Sequence, residues 1–339
     1  MRKPAPGGFA AGGPPAFHFR KKSQACIFGC GIIGRQGGTV TDGVARDYKE
    51  RVLKVLVHLQ RRLDEPLALE ELARIANFSP YHFHRVFTAL VGETVMQHVR
   101  RLRMERAVYR LAISDEPVTR IALDAGYDSH EGFTRAFRAM YHVTPSEMRA
   151  RTRKELRLDA PSSVHYSPDG AVKDFEPLKF GGAPLDVRAE TLDPVTVAFM
   201  RHLGPYAEVG SAWRKLARWA GERGLFKAES VFMGIAYDIP EITPSDKIRY
   251  DACIVIDGDF APQGDVGRMR LDGGRFALVT HRGPYETVDT TIENATRWLI
   301  MKGYDMAPEP LRALYRNFME KPSPENLITD LAFPLSPGK

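Results

Sequence analysis

Ser79-Pro-Tyr-His-Phe-His-Arg-Val-Phe87 and Ser129-His-Glu-Gly-Phe-Thr-Arg-Ala-Phe137 spell one pattern twice: Ser-x-x-x-Phe-x-Arg-x-Phe. Each copy follows a run of apolar residues at helical spacing. Leu69, Leu72, Ala73, Ile75 and Ala76 precede the first, and Val118, Ile121, Ala122 and Ala125 precede the second, which predicts two amphipathic helices. A turn at Phe78 and a break at Gly126 end them. Ser79 and Ser129 then cap the helices that follow, each offering a hydroxyl to N–H groups that have no partner within the helix. The copies are in step except that the second turn is one residue longer. Two helix-turn-helix units result, and the second helix of such a unit is the one that enters a DNA major groove.

Burial of Phe83, Phe87, Phe133 and Phe137 fixes which residues face outward. On the first helix these are Tyr81, His82, His84 and Arg85, and on the second His130, Glu131, Gly132 and Arg135. Arg bonds guanine bidentately, His donates to a base acceptor, Glu accepts from cytosine, and a Tyr ring packs on a thymine methyl. Tyr81, His84, Arg85, His130, Glu131 and Arg135 are therefore the expected DNA contacts. Between the units, Val95, Val99, Leu102, Val108 and Leu111 form one stripe of a connecting helix that carries Arg100, Arg101, Arg103, Arg106 and Arg110 elsewhere. An opening helix through Val52, Leu53, Leu56, Val57 and Leu59 and a closing one after Pro145 complete an all-α domain of seven helices over residues 43–155.

Charge divides the chain in the same sense. Residues 1–42 carry six Lys/Arg against one acid, residues 43–157 carry 21 against 15, and residues 158–339 carry 21 against 26. A basic front half suits a phosphate backbone, and an acidic back half is repelled by it. Cys26, Cys30 and Cys253 cannot build a disulfide framework, and no apolar run is long enough for a membrane span. These features predict a cytoplasmic protein with no membrane partner. Residues 1–42, rich in Gly and Pro, read as a disordered tail. Within it Gly29, Gly31 and Gly34 imitate a dinucleotide fingerprint, but Arg35-Gln-Gly-Gly is a poor helix start. Cys26 and Cys30 lack the second ligand pair of a zinc site. No cofactor and no metal are expected.

Leu72-Ala73-x-x-Ala76 through Phe87, the Arg101-Leu-Arg-Met-Glu-Arg-Ala107 run, Ile121-Ala122-x-x-Ala125-Gly126-Tyr127 through Phe137, and Thr144-Pro145-Ser146 together resemble the DNA-binding domain of AraC/XylS transcription regulators. The likeness covers Tyr48 to Arg149. It implies a single chain placing two recognition helices in successive major-groove faces of promoter DNA, with base readers at Tyr81, His84, Arg85, His130, Glu131 and Arg135. His84 and Glu131 stand where glutamine is common in that family. Because the two copies differ in these neighbours, the expected operator is not palindromic.

The back half, past an expected linker at 156–183, is also a duplicate. Ala198, His202, Gly204, Pro205, Tyr206, Val209, Arg218, Trp219 and Gly224 recur 79 residues later as Ala277, His281, Gly283, Pro284, Tyr285, Val288, Arg297, Trp298 and Gly303. Each copy reads as strand, Gly-Pro turn, amphipathic helix, and further strands. The expectation for 184–337 is an α+β domain of duplicated, pseudo-twofold strand-helix-strand units, with two helices packed on a mostly antiparallel sheet. A ligand cleft at the symmetry axis would be lined by Tyr206, Trp219, Tyr237, Tyr250, Tyr285, Trp298 and Tyr315, with Asp330, in preference to Asp251, as its acid. Aromatic walls over a carboxylate suit a lipophilic cation.

Asp186 to Leu335, with its His-x-Gly-Pro-Tyr segments and Arg249-Tyr250-Asp251-Ala252-Cys253, resembles the GyrI-like effector-binding domain. That likeness implies a small aromatic or cationic effector. The combined expectation is a transcription regulator that binds double-stranded promoter DNA, senses a small molecule, contacts RNA polymerase, and works as a monomer or weak dimer. The competing expectation is a small-molecule hydrolase in the back domain, in which a carboxylate with aromatic partners activates water.

Overall fold

The computed structural model describes residues 42–150, 160–182, 184–227, 230–320 and 322–337. The expected tail, with Cys26, Cys30 and the glycine fingerprint, lies outside the described residues apart from Asp42. The chain divides into two compact units: Ala45–Phe180 is one, and the described residues from Gly181 onward belong to the other.

In the first unit, α1 (Asp42–Arg61) precedes α2 (Leu69–Ile75) and α3 (Pro80–Val91). Then come the long α4 (Val95–Ile113), α5 (Val118–Asp124), α6 (His130–Tyr141) and α7 (Pro145–Ala150). The helix starts are where the hydroxyls predict them. Ser79 accepts from His82 N–H at the head of α3, and Ser129 accepts from Gly132 N–H at the head of α6. Thr94 and Gln97 form a reciprocal capping box on α4. The turns span residues 76–79 and 125–129, so the second is longer by one residue. Met104, Val108, Ile121, Phe133 and Phe137 share one buried cluster, which locks α4, α5 and α6 together.

Residues 160–180 were expected to be linker, yet they lie along this helical unit. Gln60 donates to the His165 carbonyl at 2.6 Å, Leu178 N–H donates to the Leu90 carbonyl at 2.9 Å, and Val164 and Phe175 are each 3% exposed. The strongest attachment is a buried ionic cluster. Arg101 reaches Glu93 and Glu105, each at 2.6 Å, and also donates to Ser162 Oγ at 3.2 Å and the Val164 carbonyl at 2.9 Å. Glu105 in turn accepts from Tyr166 N–H at 2.7 Å. Removing charges from water is costly unless each finds partners, and here the 160–166 stretch supplies several of them. The segment is a strap of the helical unit, held at points rather than by a repeating pattern. Residues 156–159 and 183 of the expected linker lie outside the described residues.

The second unit contains β1 (Val187–Leu192), β2 (Val195–Leu203), α8 (Gly210–Glu222), β3 (Phe232–Ala236), β4 (Arg249–Val255), β5 (Val266–Leu271), β6 (Gly274–Arg282), α9 (Val288–Met301), β7 (Arg312–Tyr315) and β8 (Ile328–Pro334). The strands make one antiparallel sheet in the order β1-β6-β8-β7-β3-β4-β2-β5. Residues 193–194 join β1 to β2, and residues 272–273 join β5 to β6, yet each link connects opposite ends of that order. A link this short reaches only about 10 Å, so the sheet must curl until its edges approach. The apolar residues inside the curl include Leu192 from one edge strand and Leu271 from the other. Where the links pass, a Cβ on Gly273 would lie 2.4 Å from the Leu192 carbonyl oxygen and 2.7 Å from Pro194 N, so no side chain fits there. On the outer face α8 packs against β2 and β4 and α9 against β6, leaving the central pair β3 and β7 between the helices.

Candidate DNA-reading surface and ligand cleft

α6 buries Phe133 and Phe137, whose rings pack at 5.4 Å, and turns His130, Glu131 and Arg135 to solvent. Glu131 and Arg135 are one turn apart and share a face. α3 is different, although its motif is the same. Phe83 and Phe87 are core and Tyr81 is half-buried, but His82, His84 and Arg85 are 2%, 9% and 6% exposed, against the expectation that they face outward. The Arg85 guanidinium stands 5.7 Å from the Tyr81 ring. α3 is enclosed on more sides than α6. Phe78 stacks on His82 at 4.7 Å, Tyr48 of α1 lies beyond it, and the strap pairs with the end of the helix. Among the described residues α6 has no counterpart to α1 or to the strap. Equal motifs therefore present unequal surfaces.

In the second unit four of the predicted aromatics meet over β3 and β7. Tyr315 stands edge-on to Tyr285 at 5.6 Å, its hydroxyl meets that of Tyr250 at 2.8 Å, and Tyr206 stands edge-on to Tyr250 at 6.1 Å. Tyr206 donates to the Asp238 carbonyl at 2.6 Å. Sequence reasoning passed over Trp213, because position 292, its partner in the repeat, is Ile. Trp213 is nevertheless central: its Nε1–H donates to Tyr250 Oη at 3.2 Å and its ring meets Tyr315 edge-on. Its spacing with Val209, Leu216 and Ala220 on one helical face was the available signal. Gly234 underlies the group, since a Cβ there would stand 2.2 Å from Tyr250 Oη and 2.7 Å from Tyr315 Oη. Ala313, its partner in register, adds only a methyl.

The expected acid is not in this cleft. Tyr250 and Asp251 are neighbours on β4, and neighbours on a strand point to opposite faces. Tyr250 packs with the helix-side cluster, whereas Cys253, two residues beyond Asp251, packs inside the curl. Asp251, fully buried, lies on that inner side and is gripped by Arg201 at 2.7 and 2.8 Å and by Tyr237 Oη at 2.9 Å. Asp330 shares its strand face with Ala332 of the same inner cluster. Arg188, Arg316 and Thr280 hold it at 2.8, 2.6 and 2.6 Å. Burial pushes the Asp330 carboxyl up, but Thr280 and the two arginines outweigh it and hold it below the ordinary carboxylate range. Both aspartates are thus structural charges with their partners in place.

Tyr237 belongs to the Asp251 group and lies on that inner side. Trp219 belongs to the same buried cluster as Tyr206 and Tyr250, packing on Phe260 and under Arg223, whereas Trp298 stacks on Tyr304. The repeated histidines also have structural work. His202 and His281 each bring Nε2 to a proline carbonyl three residues on, at 3.0 and 3.2 Å, closing the turn that leads to Tyr206 and Tyr285. Among the described residues no cluster of His, Cys, Asp and Glu could hold a metal ion, and no helix is long and apolar enough to cross a membrane.

Two helix-turn-helix units on one chain, the second with the side of α6 opposite its phenylalanines open to solvent, define the class: a helix-turn-helix DNA-binding protein carrying a separate sheet domain. The Helix-turn-helix domain matches residues 72–151, and the GyrI-like small molecule binding domain matches residues 185–336. The Transposon Tn10 TetD protein of Escherichia coli is 32% identical over 112 residues, 33% of this chain and 81% of TetD. The HTH-type transcriptional regulator YbfP of Bacillus subtilis (strain 168) is 34% identical over 102 residues, 30% of this chain and 35% of YbfP. The chain therefore spans about a third of the length of YbfP. Among solved structures, a chain of the EcmrR–DNA complex is 13% identical with a TM-score of 0.41, covering 45% of this chain and 58% of that one. The chain belongs to the AraC-type helix-turn-helix regulators that carry a GyrI-like domain.

Proposed function

We propose that this protein is a one-component transcription regulator, in which the helical unit binds promoter DNA and the sheet unit binds a small aromatic molecule that alters that binding. The observation that carries the reading is α6: Phe133 and Phe137 are fully buried, and the side opposite offers Arg135, Glu131 and His130 to solvent. Tyr81, His84 and Arg85 of α3 are the corresponding readers of the first unit, and their contact with bases requires that face to open. The DNA-binding unit extends through the strap to Phe180. The sheet unit is a duplicated module, and the repeat brings Tyr206 and Tyr285 into the same cleft from related positions. That placement supports an aromatic ligand between α8 and α9.

Hydrolysis in the sheet unit has little to support it, because Asp251 and Asp330 are held by arginines on the side away from the tyrosines. The test is a mobility-shift titration with a fragment from upstream of the protein's own coding region. Replacing Arg135 by Ala should weaken binding about tenfold at fixed salt, within the range of one lost bidentate base contact. An unchanged affinity would remove α6 from base reading.

A further inference from the structure

The proposed ligand cleft has a floor whose hydrogens can be counted. The indole N–H of Trp213 only donates, and it points to Tyr250 Oη; Tyr250 Oη and Tyr315 Oη share one hydrogen bond. The two phenols bring two hydrogens and use one between them. Whichever tyrosine donates, the hydrogen of the other has no acceptor among the described residues. The two phenol oxygens lie above the backbone of Gly234, where no side chain intervenes, beside the methyl of Ala313.

Among the described residues no carboxylate is bonded to Trp213, Tyr250 or Tyr315. Asp251 and Asp330 face the inside of the curl and are neutralised by Arg201, Arg188 and Arg316. Glu208 and Glu286 follow Tyr206 and Tyr285 closely in the chain but are both exposed, and Asp289 stands one turn beyond Tyr285 at the head of α9. A cation seated on the floor would lose its hydration without gaining a counter-charge, and aromatic faces restore only part of that loss. A neutral ring bearing a carbonyl gains the same aromatic contact and accepts the spare hydrogen.

We infer that the cleft selects neutral, planar aromatic ligands carrying a hydrogen-bond acceptor, such as an aryl ketone, quinone or lactone, and discriminates against cations through the Tyr250–Tyr315 pair. The inference rests on the small-molecule reading of the cleft and names the class of ligand.

The experiment is calorimetric titration of the full chain with two probes that share a ring: 2-acetonaphthone, and the fixed cation trimethyl(2-naphthyl)ammonium. The ketone should bind about tenfold tighter or more, as expected for one buried hydrogen bond. Tyr315→Phe should keep most of that preference, because Tyr250 then has a hydrogen to give. The double variant Tyr250→Phe/Tyr315→Phe should lose it. Ala313→Glu provides an independent check, since it places a carboxylate beside Gly234 and should reverse the order of the two probes. A cation that binds as tightly as the ketone to the natural chain, or that loses its affinity in Asp289→Asn, overturns the inference while leaving the cleft a ligand site. A ketone preference that survives in a folded double variant also overturns it. If neither probe binds, the small-molecule reading of the cleft itself fails, and this inference fails with it.

Discussion

Arg101→Met is the most direct test of the strap. The Arg101 side chain is 7% exposed and stands between carboxylates that are 7% and 2% exposed, Glu93 and Glu105. Methionine keeps much of the volume and removes the only described cation within bonding range of both acids, apart from the two histidines. Breaking a buried ion pair from one side costs about 3–5 kcal/mol, because the remaining charge stays buried. With a urea slope of about 2 kcal/mol/M, typical of a domain this size, the unfolding midpoint should fall by about 2 M. The chain itself separates the two units spectroscopically. Its three tryptophans, Trp213, Trp219 and Trp298, all lie in the sheet unit, whereas ellipticity at 222 nm is dominated by α1 to α7. Ellipticity should therefore lose its midpoint early while tryptophan emission keeps the parental one. Adding Glu93→Gln and Glu105→Gln removes the stranded charges and should restore part of the loss. An ellipticity midpoint displaced by less than about 0.5 M would refute the claim that this cluster holds the strap.

The same cluster predicts acid lability. Burial pushes Glu93 up, but hydrogen bonds from His98 and Arg101 outweigh it and hold the carboxyl below its ordinary value; burial also pushes His98 down. In both cases the unfolded chain takes up protons first, so helical-unit stability is complete above the ordinary imidazole range and falls as pH drops below it; a flat ellipticity midpoint from pH 7 to 4.5 would contradict this. Asp289 has the opposite sign: burial, reinforced by Glu241, raises its carboxyl to about 6. Its protonation therefore favours the folded state, and stability contributed there is lost as pH rises from the ordinary carboxylate range through about 6. Solvent reaches this side chain, so Asp289→Asn should gain only about 1 kcal/mol at pH 7, read as a higher tryptophan-emission midpoint. Gly273→Ala forces a methyl against the Leu192 carbonyl oxygen where the sheet edges meet. It should cost about 2–3 kcal/mol, seen in tryptophan emission and not in ellipticity at 222 nm.

Periodic features were legible in the sequence. The helices α2 to α6, their capping serines and the one-residue difference between the turns all follow from local spacing, and the repeat at 79 residues locates β2, β6, α8 and α9. Features fixed by distant contacts were not. The strap has no periodicity, and the bonds that seat it join residues 60 to 125 positions apart, as in Glu105–His165 and Lys49–Asp174. The edge strands β1 and β5 fall outside the repeated segments that the identities mark, so the curl they close was invisible. The unequal exposure of Arg85 and Arg135 is likewise set by what packs around each helix and not by the motif they share.

The misplaced acid shows how far strand parity alone can reach. Tyr250 and Asp251 are consecutive, so a strand through them cannot aim both into one cleft, and that much was decidable from two letters of sequence. Asp330 needed more. It is 15 residues from Tyr315 and on another strand, and only the register that sets Leu314 against Asp330 puts the carboxylate level with the opposite face from Tyr315. Once Asp251 was excluded by parity, the repeat itself argued against Asp330, because the two aspartates are 79 positions apart and occupy related places. An internal duplication therefore constrains side-chain direction as well as fold: a residue excluded from the cleft in one copy carries its partner out with it. The same logic favours the pairs that do enter. Tyr206 and Tyr285 are related by the repeat and join the same aromatic group, while Tyr250 and Tyr315, which the repeat does not relate, form the hydroxyl pair on which the proposed selectivity rests.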